Sequence, residues 1–214
     1  MNFLHTLTID HWRLILEGLG STVVITLLSL LLGTLLGGGV YCMTRSRRRW
    51  VRKTAEGYRY IVRGTPLLVL LLFFFYVVLS GGNGIIAAVL AFGINFSSLA
   101  CSLIQSSFDA VGLGQAEAGR ALGFTPMQTL HYIIAPQALK NALPAYKFQA
   151  VGMVKSTAIV GYVAIRDLTG AIESIRTDTS QSFIPLLTVT IIYFILAWLL
   201  CKLLDYLALK TTRL

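Results

Sequence analysis

QAEAGRALGFTPMQTLHYIIAP, residues Gln115 to Pro136, is a polar, helix-prone island between two long apolar regions. Glu117, Ala118, Gly119, Arg120, Ala121 and Leu122 make a run of mostly good helix formers. Gly123 stops it, and Pro126 follows at a usual distance beyond a helix end. The pattern predicts one short helix outside the bilayer, then a turn. From Met127 to Ile134 the chain becomes apolar again and runs into Pro136, where a second break is expected before the next membrane helix. A helix this short is marginal alone in water and takes its stability from what it packs against. The island therefore needs a partner surface, unless it is an ordinary amphipathic loop helix.

Outward from this stretch the chain is apolar. Its 214 residues are 56% hydrophobic and 13% charged, with a mean hydropathy of +0.74. That is too apolar for a soluble domain of this size and predicts an all-α membrane protein of one domain, residues 1–214. A bilayer core of about 30 Å takes roughly 20 apolar residues per helix. Gly18 to Thr44 carries no charge and fits one span, 18–44. Gly64 to Phe108 is also uncharged but about twice too long, and Gly81-Gly82-Asn83-Gly84 supplies the break between spans 64–81 and 85–108. A less clean helix interrupted by Lys147, residues 138–165, and a fifth span, 179–204, complete five transmembrane helices.

The formal net charge of +9 would suggest nucleic acid in a soluble protein. Here the basic residues cluster at span ends, so topology accounts for them and no nucleic acid is implied. Arg45, Arg47, Arg48, Arg49, Arg52 and Lys53 follow the first span and place that loop in the cytoplasm. Five spans then put the N-terminus outside and the C-terminus, with Lys202, Lys210 and Arg213, inside. The island 115–136 falls inside, and Arg166 to Asp178 falls outside.

Residues 1–17 precede the first span, and within them FLHTLTIDHWRLILE, Phe3 to Glu17, mixes apolar and polar residues at roughly helical spacing. An interfacial helix on the outer surface is expected, with His5 and His11 solvated and no removed signal peptide. Gly33 and Gly37 form a GxxxG pair that permits close helix packing, within the subunit or between subunits. Cys42, Cys101 and Cys201 lack pairing or metal spacing and read as small packing residues. Trp50, Tyr58 and Tyr60 are placed to anchor at the interface, and Pro66 to kink the start of a helix, with Arg63 available to lipid phosphates.

In the third span Asn95, Ser98, Ser102 and Gln105 recur in steps of three, four and three residues and share one helix face. Polar groups in a span are costly unless they pair or line a cavity. The stripe is read as a solute pathway or as a hydrogen-bond seam between helices. Lys155 lies roughly 25 Å along its helix from Ala138, near the outer side. There it either belongs to the pathway or snorkels to the headgroups. No GxxxxGK[ST], HExxH or GxSxG occurs, so neither a nucleotide site nor a catalytic centre is expected on this chain.

Glu117-Ala118-Gly119, then Gly123, then Ile133-Ile134-Ala135-Pro136 resembles the signature loop of permease subunits of binding-protein-dependent ABC importers, written EAA, three residues, G, nine residues, I-x-L-P. Gly119 replaces the second alanine and Ala135 the leucine. Arg63 to Leu68, RGTPLL, resembles the opening of a helix in the polar amino acid branch. There the third-span stretch commonly reads N-S-x-A-Y-L-A-E-I-x-R-G. Asn95 matches, while Leu99, Ser102 and Gln105 stand at the tyrosine, acidic and arginine positions. Lys155-Ser156-Thr157 resembles a K-D-T-S run with the acid again missing.

The resemblance implies a type I ABC importer permease fold in a bacterial cytoplasmic (inner) membrane, in contact with membrane lipid. Two such subunits, identical or homologous, would enclose a path for a small polar solute, most like an amino acid. The missing acids argue against a cationic one. A cytoplasmic ABC ATPase dimer would hold ATP and Mg, leaving this chain no cofactor, metal or enzymatic role of its own. The ATPase would grip the coupling helix, with Glu117 and Arg120 as polar contacts, Ala118 and Gly119 within the motif, and Gly123 and Pro136 shaping the loop. An extracytoplasmic substrate-binding protein would dock outside, where Arg166 to Phe183 offers a capping helix or plain solvated charges. Two rivals stand beside this reading. An ATP-independent transporter or channel would show inverted repeats or carboxylates inside spans, and neither is found. A scaffold would anchor another enzyme through the Glu117 loop.

Overall fold

The computed structural model describes residues 9–163 and 165–211, and within these the chain is helices and connecting turns. Helix α1, Ile9–Thr44, has 36 residues and a length of about 54 Å, well beyond a hydrocarbon core of about 30 Å. From Ile9 onward the expected interfacial segment is continuous with the first span. No proline or turn signal separates them, and Ile15 and Leu19 pack on helix α8, Leu168–Thr179. His11, expected to be solvated, lies 3.9 Å from the Asp178 carboxylate. His5 lies outside the described residues.

Helix α4, Gly84–Asp109, runs beside α1 in the same direction: Gly33 meets Gly93 and Phe96, and Gly37 meets Ser97 and Ala100. A Cβ at Gly33 would stand 2.7 Å from the Gly93 carbonyl oxygen, and one at Gly37 would stand 2.6 Å from the Ala100 Cβ. The GxxxG pair thus serves packing inside the subunit. Phe92 and Phe96 of α4 fill the centre of the main core with Ile25, Leu71, Val154 and Val160.

Helix α2, Arg49–Gly64, ends at Thr65 because Pro66 disfavours a helical residue before it. The chain then turns by 102° into Leu67–Val78, which comprises α3, Leu67–Leu72, and a π-helical continuation, Phe73–Val78. These twelve residues cover about 18 Å, short of a bilayer core. The glycine-rich break follows, with Gly81 at φ +78° and the Asn83 side chain accepting from the Ile86 N–H to cap α4.

After α4 come α5, Leu113–Ala121, and α6, Pro126–Thr129, whose capping box pairs Thr125 with Gln128. A π-helical stretch, Leu130–Ile134, leads into α7, Ala135–Ser156, and a 3₁₀ turn, Thr157–Val163. No break occurs at Pro136. The widened turn before it accommodates the missing N–H and the ring, and Pro126–Val163 forms one rod. Asp167 caps α8 by accepting from the Gly170 N–H at 2.9 Å, and α9, Phe183–Thr211, closes the bundle.

Among the described residues three helices are long and apolar enough to cross a membrane. The number reaches five if each of two bent pairs, Arg49–Val78 and Pro126–Thr179, counts as one crossing.

Candidate functional site

Two groups of polar residues stand out, at the α5–α6 turn and between α2 and α4. The first is built on backbone geometry. Gly123 takes φ +80°, a conformation glycine adopts without strain, and Phe124 N–H donates to the Gly119 carbonyl at 3.0 Å to close the helix end. Gly119 is buried against α6. A Cβ there would lie 2.6 Å from Thr129 Cγ2 and 3.2 Å from Ile133 Cδ1. The departure from alanine at Gly119 thus coincides with a contact that leaves no room for a methyl. Gln137 Nε2 donates to Gln115 Oε1 at 3.1 Å and to the Ile133 carbonyl at 2.9 Å, tying α5 to α7.

What this anchoring presents outward is a mixed surface. Glu117, Ala118, Arg120 and Ala121 are exposed, Leu122 is 73% exposed and Met127 71%. Glu117 and Arg120 join no ion pair among the described residues. Pro136 is exposed at the start of α7. Apolar side chains flanked by unpaired charges suit a protein surface better than water.

The second group joins α2 to α4. Arg63 Nε donates to Ser98 Oγ at 3.2 Å, and Arg63 Nη2 donates to the Ser98 carbonyl at 3.4 Å and to Ser102 Oγ. Arg59 Nη2 donates to Ser102 Oγ at 2.7 Å, and its Nη1 donates to Gln105 Oε1 at 3.2 Å. Tyr58, read from sequence as an interfacial anchor, faces inward instead, with its hydroxyl 2.6 Å from Ser97 Oγ. Ser98, Ser102 and Gln105 are thus brought together as acceptors for two guanidiniums. Asn95 is half-buried on the same helix, and its side chain makes no hydrogen bond among the described residues.

Lys155 does not join this group. It is exposed in the last turn of α7, where a cation suits the helix dipole, and lines a groove with Tyr193, Phe194 and Trp198 of α9. Further along the same pair of helices, Lys147 Nζ donates to Asp205 Oδ1 at 2.6 Å. Because α9 runs on to Thr211, Asp205 lies inside a helix that the sequence reading ended at residue 204.

Sequence reading missed Arg59 and Arg63 as the partners of the serine stripe. A signal was present. Ala55, Tyr58, Arg59, Val62 and Arg63 recur at helical spacing on one face of α2, and Ala55 and Val62 are its buried residues.

Residues 29–212 match the family described as binding-protein-dependent transport system inner membrane component. The nopaline transport system permease protein of Agrobacterium fabrum is 28% identical over 211 residues, covering 92% of this chain and 87% of that protein. The arginine transport system permease protein of Bacillus subtilis is 29% identical over 204 residues, covering 94% and 93%. A crystal structure of an amino acid ABC transporter with histidines superposes with a TM-score of 0.84 at 33% identity, covering 98% of this chain and 99% of that one. The inward-facing methionine transporter, at 22% identity and a TM-score of 0.76 over 95% of this chain and 99% of that one, shares the fold. The chain belongs to the inner-membrane components of binding-protein-dependent transport systems, the permease subunits of ABC importers.

Proposed function

We propose that this permease forms one half of a translocation path for a polar amino acid, energised through α5. The relatives named above act on amino acids or their derivatives, which supports that substrate class. In this reading both bent pairs cross the membrane, giving five spans with the N-terminus outside and α5 at the cytoplasmic face. A dimeric ABC ATPase carries ATP and Mg, a second permease subunit completes the path, and an extracytoplasmic binding protein delivers solute near α8. Asn95, Ser98, Ser102, Gln105 and Lys155 are the pathway residues proposed from sequence.

The observation that carries the reading is the α5 surface, exposed on its outer side and anchored on its inner side by Gly119. An ATPase that closes on nucleotide shifts the permease between two states by its differential affinity for them. A rigidly seated α5 passes that bias to α7. The test is co-purification from native membranes in mild detergent, comparing the wild-type chain with Glu117→Lys/Arg120→Glu. The expected result is an ATPase subunit that accompanies the wild-type chain and is lost, with transport, from the variant. Retention of both would overturn the assignment of these two side chains. No ATPase with a folded wild-type chain would return the ATP-independent transporter to first place.

A further inference from the structure

The α2–α4 cluster carries two positive charges, and no acidic group among the described residues pairs with either. Arg59 and Arg63 both donate to Ser102 Oγ, so their guanidiniums lie within roughly 6 Å of each other. Their remaining acceptors are neutral: Ser98 Oγ, the Ser98 carbonyl and Gln105 Oε1. Neither arginine forms an ion pair among the described residues, and Glu56, the single acid of α2, sits 3.9 Å from Arg52 instead. Arg59 Nε is buried without a hydrogen-bond partner among the described residues. Ser102 Oγ donates its own proton to the Ser98 carbonyl at 3.2 Å, which leaves its lone pairs to the two guanidiniums. The serine ladder therefore orients two cationic forks while neutralising neither.

Charges held this way on a membrane protein are costly unless an anion joins them. A guanidinium fork matches a planar oxyanion with two parallel hydrogen bonds. The site is reachable, because Arg63 is exposed while Arg59 is half-buried. Asn95, one helical turn from Ser98, still has amide donors and an acceptor to offer.

We infer that Arg59 and Arg63 form a carboxylate-binding site on the transport path, and that the solute is an amino acid with an acidic side chain and not a cationic one. This rests on the importer reading above. A phosphate of an anionic lipid headgroup has the same chemistry, and the experiment separates the two sources.

The permease is purified with its co-purifying partners and placed in nanodiscs, either of phosphatidylcholine alone or with phosphatidylglycerol. Binding of L-glutamate and L-arginine is measured by calorimetry, for the wild-type chain and for Arg59→Gln, Arg63→Gln and Arg63→Lys. The expected result in phosphatidylcholine is glutamate bound more tightly than arginine. Affinity should fall at least tenfold in either glutamine variant and be only partly kept in Arg63→Lys. Tighter arginine binding, glutamate affinity unchanged by the glutamine substitutions, or no glutamate binding at millimolar concentration would each overturn the proposal. So would thermal stabilisation by phosphatidylglycerol that depends on both arginines while glutamate fails to bind, since the anion would then be a lipid. Retained ATPase in the variant preparations shows that folding and the importer reading survive even where the carboxylate site does not.

Discussion

At Gly119 a hydrogen stands where any other residue would put a carbon 2.6 Å from Thr129 Cγ2 and 2.7 Å from Thr129 Oγ1. Thr129 is buried, and its hydroxyl has no hydrogen-bond partner among the described residues, so its side chain is held by fit. Overpacking of this kind costs about 1–3 kcal/mol. Gly119→Ala is therefore expected to lower the thermal midpoint of the purified complex and to loosen the ATPase. Adding Thr129→Ala, which removes the opposing atoms, should recover most of both losses. Equal losses in the single and double variants would show that the contact does not position α5. The exposed residues of this turn were legible in sequence, because Gly123 and Pro126 are punctuation that needs no tertiary context. The Gly119 contact was not, because Thr129 lies ten residues on and meets it only once the chain has folded back.

Between elements, the α1–α4 seam separates glycines that matter from glycines that do not. A Cβ at Gly37 would meet the Ala100 Cβ and the Ser97 carbonyl, whereas one at Gly38 would meet no other element within 4 Å among the described residues. Gly37→Leu is expected to cost about 3 kcal/mol or to abolish folding. Gly38→Ala should be neutral or stabilising by about 0.5–1 kcal/mol, the ordinary gain for alanine in a helix. Thermal unfolding in detergent monitored by tryptophan fluorescence measures both, and equal effects would mean that the seam does not hold the folded subunit together. The long apolar runs made these helices readable, since bilayer thickness sets a length that composition either meets or does not. The 102° turn at Pro66 and the unbroken rod through Pro136 were less readable, because a proline ends one helix and enters another depending on whether the preceding turn widens.

Across the molecule, Lys147 and Asp205 connect the rod to the final helix at 2.6 Å. Their side chains are 26% and 43% exposed, so solvent screens part of the attraction. Lys147→Met and Asp205→Asn are each expected to cost about 1 kcal/mol or less. A double-mutant cycle on thermal stability should show a coupling of about 1 kcal/mol that shrinks with salt. Additive effects would mean that the two groups do not interact. The all-helical, membrane-spanning character was visible in sequence as apolar blocks. The carboxylate-free arginine pair was hidden because it brings together residues some 40 positions apart, each unremarkable on its own. The rod Pro126–Val163 has one further consequence. Its foot rests on α5 through Gly119 and Gln137, and its shaft is about 57 Å long with Pro144 near the middle. A proline there removes one backbone bond and softens bending at that point. Pro144 then acts as a hinge between two stiff halves: a bend of about 10° there swings one end by about 5 Å relative to the other half, so the far tip can shift by the width of a side chain while the foot stays seated on α5.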